Sequence, residues 1–305
     1  MTSPRVSVVI VNWNNFEDSA ECLESVKSAT YANFEVVVVD NGSRGGDAGK
    51  LRERFGGGIR LIENERNLGF AKGCNIGIRD ALARGAEYVV LLNNDTVVTP
   101  GFLDELVRVA ASDGKVGIAG GKIYCYEFPD LIWFAGGTVD YRTGNTPIRG
   151  SGEVDRGQFN ERIAVDWVCS CFMLIAREVL EDVGLLDERF FFGWEDADLC
   201  IRAGRRGYKV LYVPGAEISH KGFGVTKRER LRGKPLYYAA RGHFIFMDKH
   251  FSRRQLLSSG WYFVTRFPRF ALDYARITRQ WQAPLYILRA LFDYTAKKAR
   301  RVLRV

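Results

Sequence analysis

Short runs of aliphatic and β-branched residues recur along the chain, at Val6 to Val11, Phe34 to Val39, Glu87 to Leu92 and Lys209 to Val213, with amphipathic stretches between them. Unbroken apolar runs of this length read as strands buried on both faces of a parallel sheet. Between the first two, Ala20, Leu23 and Val26 recur on one helical face, and Glu17 and Asp18 fall in the first turn, where carboxylates favour the positive end of the helix dipole. This βαβ unit predicts a right-handed crossover and a parallel strand pair. Arg60 to Glu63 is a weaker strand, and Ala71 to Ala83 a helix stopped by Gly85. Thr99-Pro100 is expected to cap a helix running to Ala111, with proline at its first position.

Farther on, the glycine-rich stretch from Val116 to Gly152, with alternation from Ile132 to Val139, predicts antiparallel strands and loops. Ile163 to Ala176 is expected to re-enter the main sheet, and a helix from about Asp196 to Ala203 places Asp198 and Arg202 at i,i+4. Lys209 to Val213 reads as the last strand, ended by Pro214, and the catalytic body as ending near Gly224, giving a division into residues 1–224 and 225–305. Beyond Lys227 the pattern turns helical, basic and aromatic: Trp261, Val264, Phe267, Ala271, Tyr274, Ile277 and Trp281 recur at helical spacing, interrupted by Pro268. Pro284 opens a final helix with Leu285, Leu288, Leu291 and Phe292 on one side and Arg289, Lys297, Lys298 and Arg301 elsewhere. Two readings stay open for these helices: they lie in a bilayer interface, or their apolar faces pack on the main domain.

Charge sharpens that division. Residues 221 to 305 hold twenty Lys and Arg against four Asp and Glu, while the preceding residues hold twenty-four against thirty-two. A basic terminal segment of this kind meets phosphate, of nucleic acid or of an anionic membrane surface. With 305 residues, 47% of them hydrophobic, the chain can bury a large core. Six cysteines without a Cys-x-x-Cys pair, at Cys22, Cys74, Cys125, Cys169, Cys171 and Cys200, read as reduced core thiols and suit a cytoplasmic protein. The six apolar residues before Asn12 are too few for a signal-peptide core, and no run of about 18 apolar residues predicts a membrane span.

The chemistry gathers where strands stop. Val36 to Val39 ends at Asp40-Asn41-Gly42-Ser43, Val89 to Leu92 at Asn93-Asn94-Asp95-Thr96, and Phe190-Phe191-Phe192 leads to Trp194-Glu195-Asp196. Open parallel sheets bind ligands beyond the carboxyl ends of their strands, so these acids are candidates for substrate contact. No G-x-G-x-x-G follows the first strand, which argues against NAD, and Gly45 to Lys50 only imitates a P-loop: Arg44 stands at the required first glycine and Leu51 replaces the Mg-binding hydroxyl. That segment is expected to be a loop. Asn93-Asn94-Asp95 offers one carboxylate and amide oxygens to a hard divalent ion, with a turn or cap role as the alternative. His220 follows the last strand, where a lone histidine is more often structural. Glu195 and Asp196 follow apolar residues that raise a carboxylate's proton affinity, which suits a general base; helix capping is the competing role.

Five segments taken together, Val6-Ser7-Val8-Val9-Ile10-Val11-Asn12-Trp13-Asn14, Val39-Asp40-Asn41-Gly42-Ser43, Asn67-Leu68-Gly69-Phe70-Ala71-Lys72-Gly73-Cys74-Asn75, Leu92-Asn93-Asn94-Asp95 and Asp187 to Leu199, resemble family 2 glycosyltransferases, in particular the rhamnosyltransferase-like subgroup. The resemblance covers residues 5 to 224. It implies a GT-A fold, a mixed and mainly parallel α/β sheet flanked by helices, here followed by a basic helical extension. It further implies a nucleotide-sugar donor, a divalent cation (Mg²⁺ or Mn²⁺) and inversion at the anomeric carbon. By position, Asp40 corresponds to the acid that contacts the nucleotide base, with Asn12 and Asn14 in the same pocket. Asn67, Gly69 and Asn75 correspond to the segment lining the nucleoside and diphosphate, Asn93 and Asn94 are donor-binding candidates beside it, and Asp95 corresponds to the last residue of the metal-binding D-x-D. His220 matches a histidine that helps hold metal or diphosphate, Asp196 the catalytic base, with Glu195 as second choice; Phe192 and Trp194 are acceptor-side candidates.

Asn at position 93, where many relatives carry Asp, removes one formal charge from the expected metal site, and the absence of Q-x-x-R-W argues for addition of single sugars. The resemblance points to dTDP-rhamnose as donor. The basic helices suggest a lipid-linked glycan acceptor at the inner membrane face, in cell-surface polysaccharide assembly. Two rival readings are a nucleotide-sugar-binding scaffold without turnover, and nucleic-acid binding through the terminal helices, which would leave the acidic strand ends without a purpose.

Overall fold

A computed structural model describes residues 3–222, 234–278 and 281–302. Its centre is a mixed sheet built outward from β1 (Val6–Asn12), which pairs in parallel with β2 (Phe34–Asp40) and with β4 (Tyr88–Asn93), while β3 (Arg60–Glu63) extends the β2 edge. The valines of β1, β2 and β4 are almost all buried, as expected of strands covered on both faces. Helix α1 (Phe16–Val26) makes the first crossover and buries Ala20, Leu23 and Val26. Helix α3 (Phe70–Ala83) leads to β4, stopped at Gly85 with φ +86°, a conformation glycine takes without strain.

The other half of the sheet is antiparallel in part. β6 (Val116–Cys125) forms a hairpin with β7 (Phe128–Phe134), and β9 (Phe172–Ala176) inserts between β4 and β6, antiparallel to both. β10 (Lys209–His220) runs parallel to β6 and also pairs with the short β8 (Ile163–Ala164) and β5 (Thr96–Val98). The resulting ten-stranded sheet has the order β3-β2-β1-β4-β9-β6-β10-β5, with β7 on β6 and β8 on β10. Helix α5 (Arg177–Asp182) follows β9, and α6 (Glu195–Arg205) carries the expected Arg202–Asp198 pair at 2.8 Å.

Four expectations change. Residues 45 to 50 are not all loop, because α2 (Asp47–Phe55) starts there; Leu51 and Phe55, one turn apart, are buried and fix it as a helix. Helix α4 (Phe102–Ala111) begins at Phe102 with Gly101 at its N-cap, two residues later than a Pro100 start requires, because Thr99 is tied to β10 by its N–H and hydroxyl bonds to the Glu217 carbonyl. Pro214 does not end the last strand. β10 continues through it to His220, with a register shift between Val213 and Glu217 that absorbs a residue lacking an N–H. The fourth concerns Pro268, which interrupts nothing: α8 (Arg253–Thr278) runs through it, losing one backbone donor in a helix held by side-chain packing.

The chain divides into two compact units. One takes in the sequence up to Thr138, Ile148–Glu188 and the stretch from Glu195 through β10. The other comprises Val139–Pro147, Arg189–Trp194 and the C-terminal helices. The expected boundary at Gly224 and the onset of the basic segment at Lys227 lie outside the described residues.

In the second unit, α7 (Lys234–His250), α8 and α9 (Ala283–Val302) share a small core in which Leu236, Ala283 and Ile287 meet Phe263, Phe267 and Tyr286. Among the described residues no helix is long and apolar enough to cross a membrane. All six cysteines are free thiols, five of them buried.

Candidate active site

Parallel register places Asn12 opposite Asp40 at the ends of β1 and β2, so their side chains project from the same face. Asn12 Nδ2 lies 3.0 Å from Asp40 Oδ1, 3.2 Å from Ser43 Oγ and 3.2 Å from Asp47 Oδ2. Ser43 donates its hydroxyl to Asp40 Oδ1 at 2.5 Å and its N–H to Oδ2 at 3.1 Å, and its Oγ accepts the Asn14 N–H at 2.8 Å. Asn14 has φ +50°, a turn conformation that asparagine tolerates better than most residues, and its Oδ1 accepts the Arg44 N–H. On the other side, Ser19 Oγ donates to Asn12 Oδ1 at 2.8 Å and accepts Asn94 Nδ2 at 2.8 Å. The structure thus joins Asn12, Asn14, Asp40 and Asn94 in one polar network, buried at Asn12 and Asp40, half-buried at Asn94 and exposed at Asn14.

Asn67 and Gly69 belong to a neighbouring set. Asn41 Nδ2 reaches Asn67 Oδ1 at 3.2 Å and the Gly69 carbonyl at 3.1 Å, and the Gly69 N–H bonds Asn67 Oδ1 at 2.8 Å. Gly69, with φ +90°, turns this loop into α3. Asn75 sits apart from both sets: its amide bonds both backbone groups of Leu186, at 2.8 and 3.1 Å, and fastens α3 to the segment before Glu188.

The end of β4 meets the end of β10. His220 Nε2 lies 3.2 Å from Asp95 Oδ1 and 3.3 Å from Asn93 Nδ2, and the imidazole stacks on Trp133 with centroids 4.6 Å apart at 14°. His220 Nδ1 accepts the Gly222 N–H at 3.1 Å. Thr96 closes the turn by donating its hydroxyl to the Asn93 carbonyl at 2.7 Å.

Asn93 Oδ1 is buried without a hydrogen-bond partner, and a buried orphan acceptor beside a carboxylate is what a hard cation would satisfy. Among the described residues no three His, Cys, Asp or Glu side chains form a metal cluster. Asp95 and Asn93 Oδ1 are the residues that would hold such an ion. His220 joins as a ligand only with Nε2 unprotonated.

The residues Cys169 to Cys171 connect this strand end to the candidate base. The Asn93 N–H bonds the Cys171 carbonyl at 3.1 Å, and the Ser170 N–H bonds Asp196 Oδ2 at 3.2 Å. Burial drives the Cys171 thiol pKa well up, and the hydrogen bond with the Cys169 side chain adds to it. Burial also raises the Asp196 pKa, against the N–H bonds from Ala197, at 2.8 Å to Oδ1, and from Ser170. Glu195 is buried beside it, with Oε1 3.5 Å from Ser170 Oγ.

In the second unit, the loop before α6 packs on α7. Trp194, strained at φ +79°, stacks on His243 at 4.6 Å and donates its Nε1–H to the Ala239 carbonyl at 3.0 Å. His243 in turn contacts the Gly144 carbonyl at 2.7 Å. Phe190 is buried, while Phe192 is 47% exposed. Sequence reasoning missed Ser19, Ser43, Asp47 and Trp133 as site residues. Asp47 carried a signal, an acid opening an amphipathic helix with Leu51 and Phe55; the Trp133 stack crosses strands and leaves none.

The sequence profile of Glycosyl transferase family 2 matches residues 7–184. The chain belongs to glycosyltransferase family 2. It is 28% identical over 279 residues to the N-acetylglucosaminyl-diphospho-decaprenol L-rhamnosyltransferase of Mycobacterium tuberculosis, covering 84% of this chain and 85% of the relative. With the dTDP-rhamnosyl transferase RfbF of Shigella flexneri it shares 26% identity over 235 residues, 72% of each chain. The Sinorhizobium fredii relative y4gI is 29% identical over 231 residues, yet this chain spans only 24% of its length.

Among solved structures, GalNAc-T7 with UDP, GalNAc and Mn²⁺ superposes with a TM-score of 0.66 at 16% identity, over 97% of this chain and 58% of that one. That likeness shows the fold, which is GT-A.

Proposed function

We propose that this glycosyltransferase moves a single sugar from a nucleotide-sugar donor to a hydroxyl of a glycan or lipid-linked glycan, with inversion, and that the donor is dTDP-rhamnose. One observation carries the reading: the Cys169 to Cys171 segment holds the Asn93 strand end by its carbonyl and Asp196 by its N–H, so a donor-side carboxylate and a base flank the same short stretch of backbone. Asp196 accepts the proton of the acceptor hydroxyl as that oxygen bonds the anomeric carbon and the bond to the diphosphate breaks on the opposite side. Burial raises the affinity of Asp196 for that proton, and its two N–H bonds aim the carboxylate. A Mg²⁺ or Mn²⁺ ion held by Asp95 and Asn93 would neutralise charge on the leaving diphosphate.

Asn12, Asn14 and Asp40 would face the nucleoside, with Asn67, Gly69 and Asn94 beside the donor. Asn75, engaged by Leu186, would shape that pocket from behind. Phe192 and Trp194 remain acceptor-side candidates from their place in the sequence before Asp196. The names of the two rhamnosyltransferase relatives support both the donor and a lipid-linked acceptor, and such an acceptor puts the enzyme at the inner face of the cell membrane in polysaccharide assembly.

The test is a panel of dTDP-, UDP- and GDP-sugars, read as nucleoside diphosphate release with and without divalent ion. Selective, metal-stimulated use of dTDP-rhamnose is expected. Equal rates across the panel, or preference for another sugar, would remove the rhamnose assignment.

A further inference from the structure

The last two helices are apolar on two sides. On α9, Ala283, Ile287 and Ala290 are buried, the first two in the core of their unit, yet Leu285, Leu288 and Phe292 stand exposed at 65%, 46% and 70%, and Trp281, in the turn just before the helix, is exposed at 68%. On α8, Phe263 and Phe267 join the same core while Leu257, Trp261 and Val264, at i, i+4 and i+7, are exposed at 75%, 73% and 66%. A helix needs one apolar stripe to fold onto its neighbours; a second contiguous stripe marks a second partner.

The charge around the stripes selects that partner. The α8 and α9 sequences hold ten Lys and Arg against two Asp. Arg253 and Arg254 lie one turn before Leu257, and Arg289 lies one turn beyond Leu285; all three are exposed. A second copy of this chain would bring the same positive charge face to face, which opposes self-association. A bilayer with anionic headgroups meets both features, taking Trp, Leu and Phe into the boundary layer and Arg at the phosphates.

We propose that the exposed stripes of α8 and α9 form a docking surface for an anionic lipid bilayer, with Trp261 and Trp281 as anchors. The inference names a partner for the lipid-linked acceptor reading, and its physical basis in these two helices is separate from that reading.

The test uses the full chain with vesicles of equal parts phosphatidylglycerol and phosphatidylcholine, and with phosphatidylcholine alone. Flotation with the anionic vesicles, at least tenfold stronger than with neutral ones and weakened by 0.5 M salt, is expected, together with a blue shift of tryptophan emission. The Trp261→Ser, Trp281→Ser double variant should lose at least tenfold of that binding, with an unchanged melting curve and unchanged metal-stimulated donor hydrolysis. Flotation by an enzyme that uses no donor would uphold the surface while sinking the transferase reading. Binding unaffected by the double variant would overturn the proposal, as would a stable dimer that this variant dissociates and that never floats.

Discussion

Replacing Asp196 by Asn tests the assignment of the base most directly. Loss of general-base help costs about 10² to 10⁴ in rate, or about 2.7 to 5.4 kcal/mol of barrier. The structural side effect is smaller and can be anticipated. The carboxylate accepts N–H bonds at both oxygens, from Ser170 at 3.2 Å and Ala197 at 2.8 Å, whereas an amide has one acceptor and would face the other N–H with its own NH₂. Leaving that buried donor unpaired costs about 1 to 3 kcal/mol, offset by removal of a charge that burial disfavours.

The variant should therefore fold, bind donor by calorimetry within about threefold of the wild type, and lose turnover by two orders of magnitude or more. The pH profile adds a second check. A base works deprotonated, so with its pKa raised by burial the rate climbs with pH through a midpoint above the ordinary aspartate value, and Asp196→Asn should abolish that limb. Near-normal turnover by Asp196→Asn, with Glu195→Gln inactive, would transfer the role to Glu195. Parallel loss of donor binding and melting temperature would make Asp196 a helix cap.

Two further perturbations have expected outcomes, one at the site and one at a buried ion pair outside it. Asp95→Ala should reduce turnover about 10² to 10³-fold and abolish its response to Mg²⁺ or Mn²⁺ titration; retained metal stimulation would place the ion elsewhere. Lys122 is 2% exposed and bonds Asp155 at 2.7 Å and Asn160 at 2.6 Å, so Lys122→Met should cost about 3 kcal/mol in urea unfolding by stranding the Asp155 charge. Burial pushes the Asp155 pKa up, but bonds from Lys122 and Tyr124 outweigh it and hold the pKa at about 2. The stabilisation from Asp155 is thus present above the usual aspartate range and lost as pH falls toward 2, and Lys122→Met should flatten that acid limb.

The sheet was legible because its strands carry their signal in composition: Val36 to Val39 has one stable placement, buried between neighbours, and Asp40 marks where the burial ends. Three prolines were misleading, two of them for the same reason. Local propensity says a proline ends an element, yet Pro214 rides a register shift in a strand pinned by β6 and β5, and Pro268 sits in a helix held by Phe263 and Phe267; at Pro100 it was the long-range bonding of Thr99 that displaced the helix start. The candidate acids were readable from their places at strand tips. Their partners were not: Asp47 reaches Asn12 across 35 residues, and Trp133 on β7 stacks on His220 of β10 although each of these strands pairs with β6, separations that no periodicity encodes.

The link between the two ends of the site is main chain, and that makes a distinction between side chain and backbone testable. Ser170 contributes its N–H to Asp196 at 3.2 Å and its hydroxyl only loosely to Glu195, at 3.5 Å. If the positioning of Asp196 resides in the N–H, Ser170→Ala keeps it: turnover should stay within about threefold of the wild type, and stability should fall by about 1 kcal/mol for the lost buried hydroxyl bond. If instead the hydroxyl holds Glu195 in a catalytic posture, the same variant should lose turnover as heavily as Glu195→Gln does. A backbone donor has no rotamer freedom to lose on binding, so it keeps the Asp196 carboxylate at a fixed offset from the β4 end with no ordering cost in the reaction itself. For a displacement that needs its base and its leaving group on opposite sides of one carbon, a rigid main-chain link between the two is the economical arrangement, and the response to Ser170→Ala decides whether this enzyme relies on it.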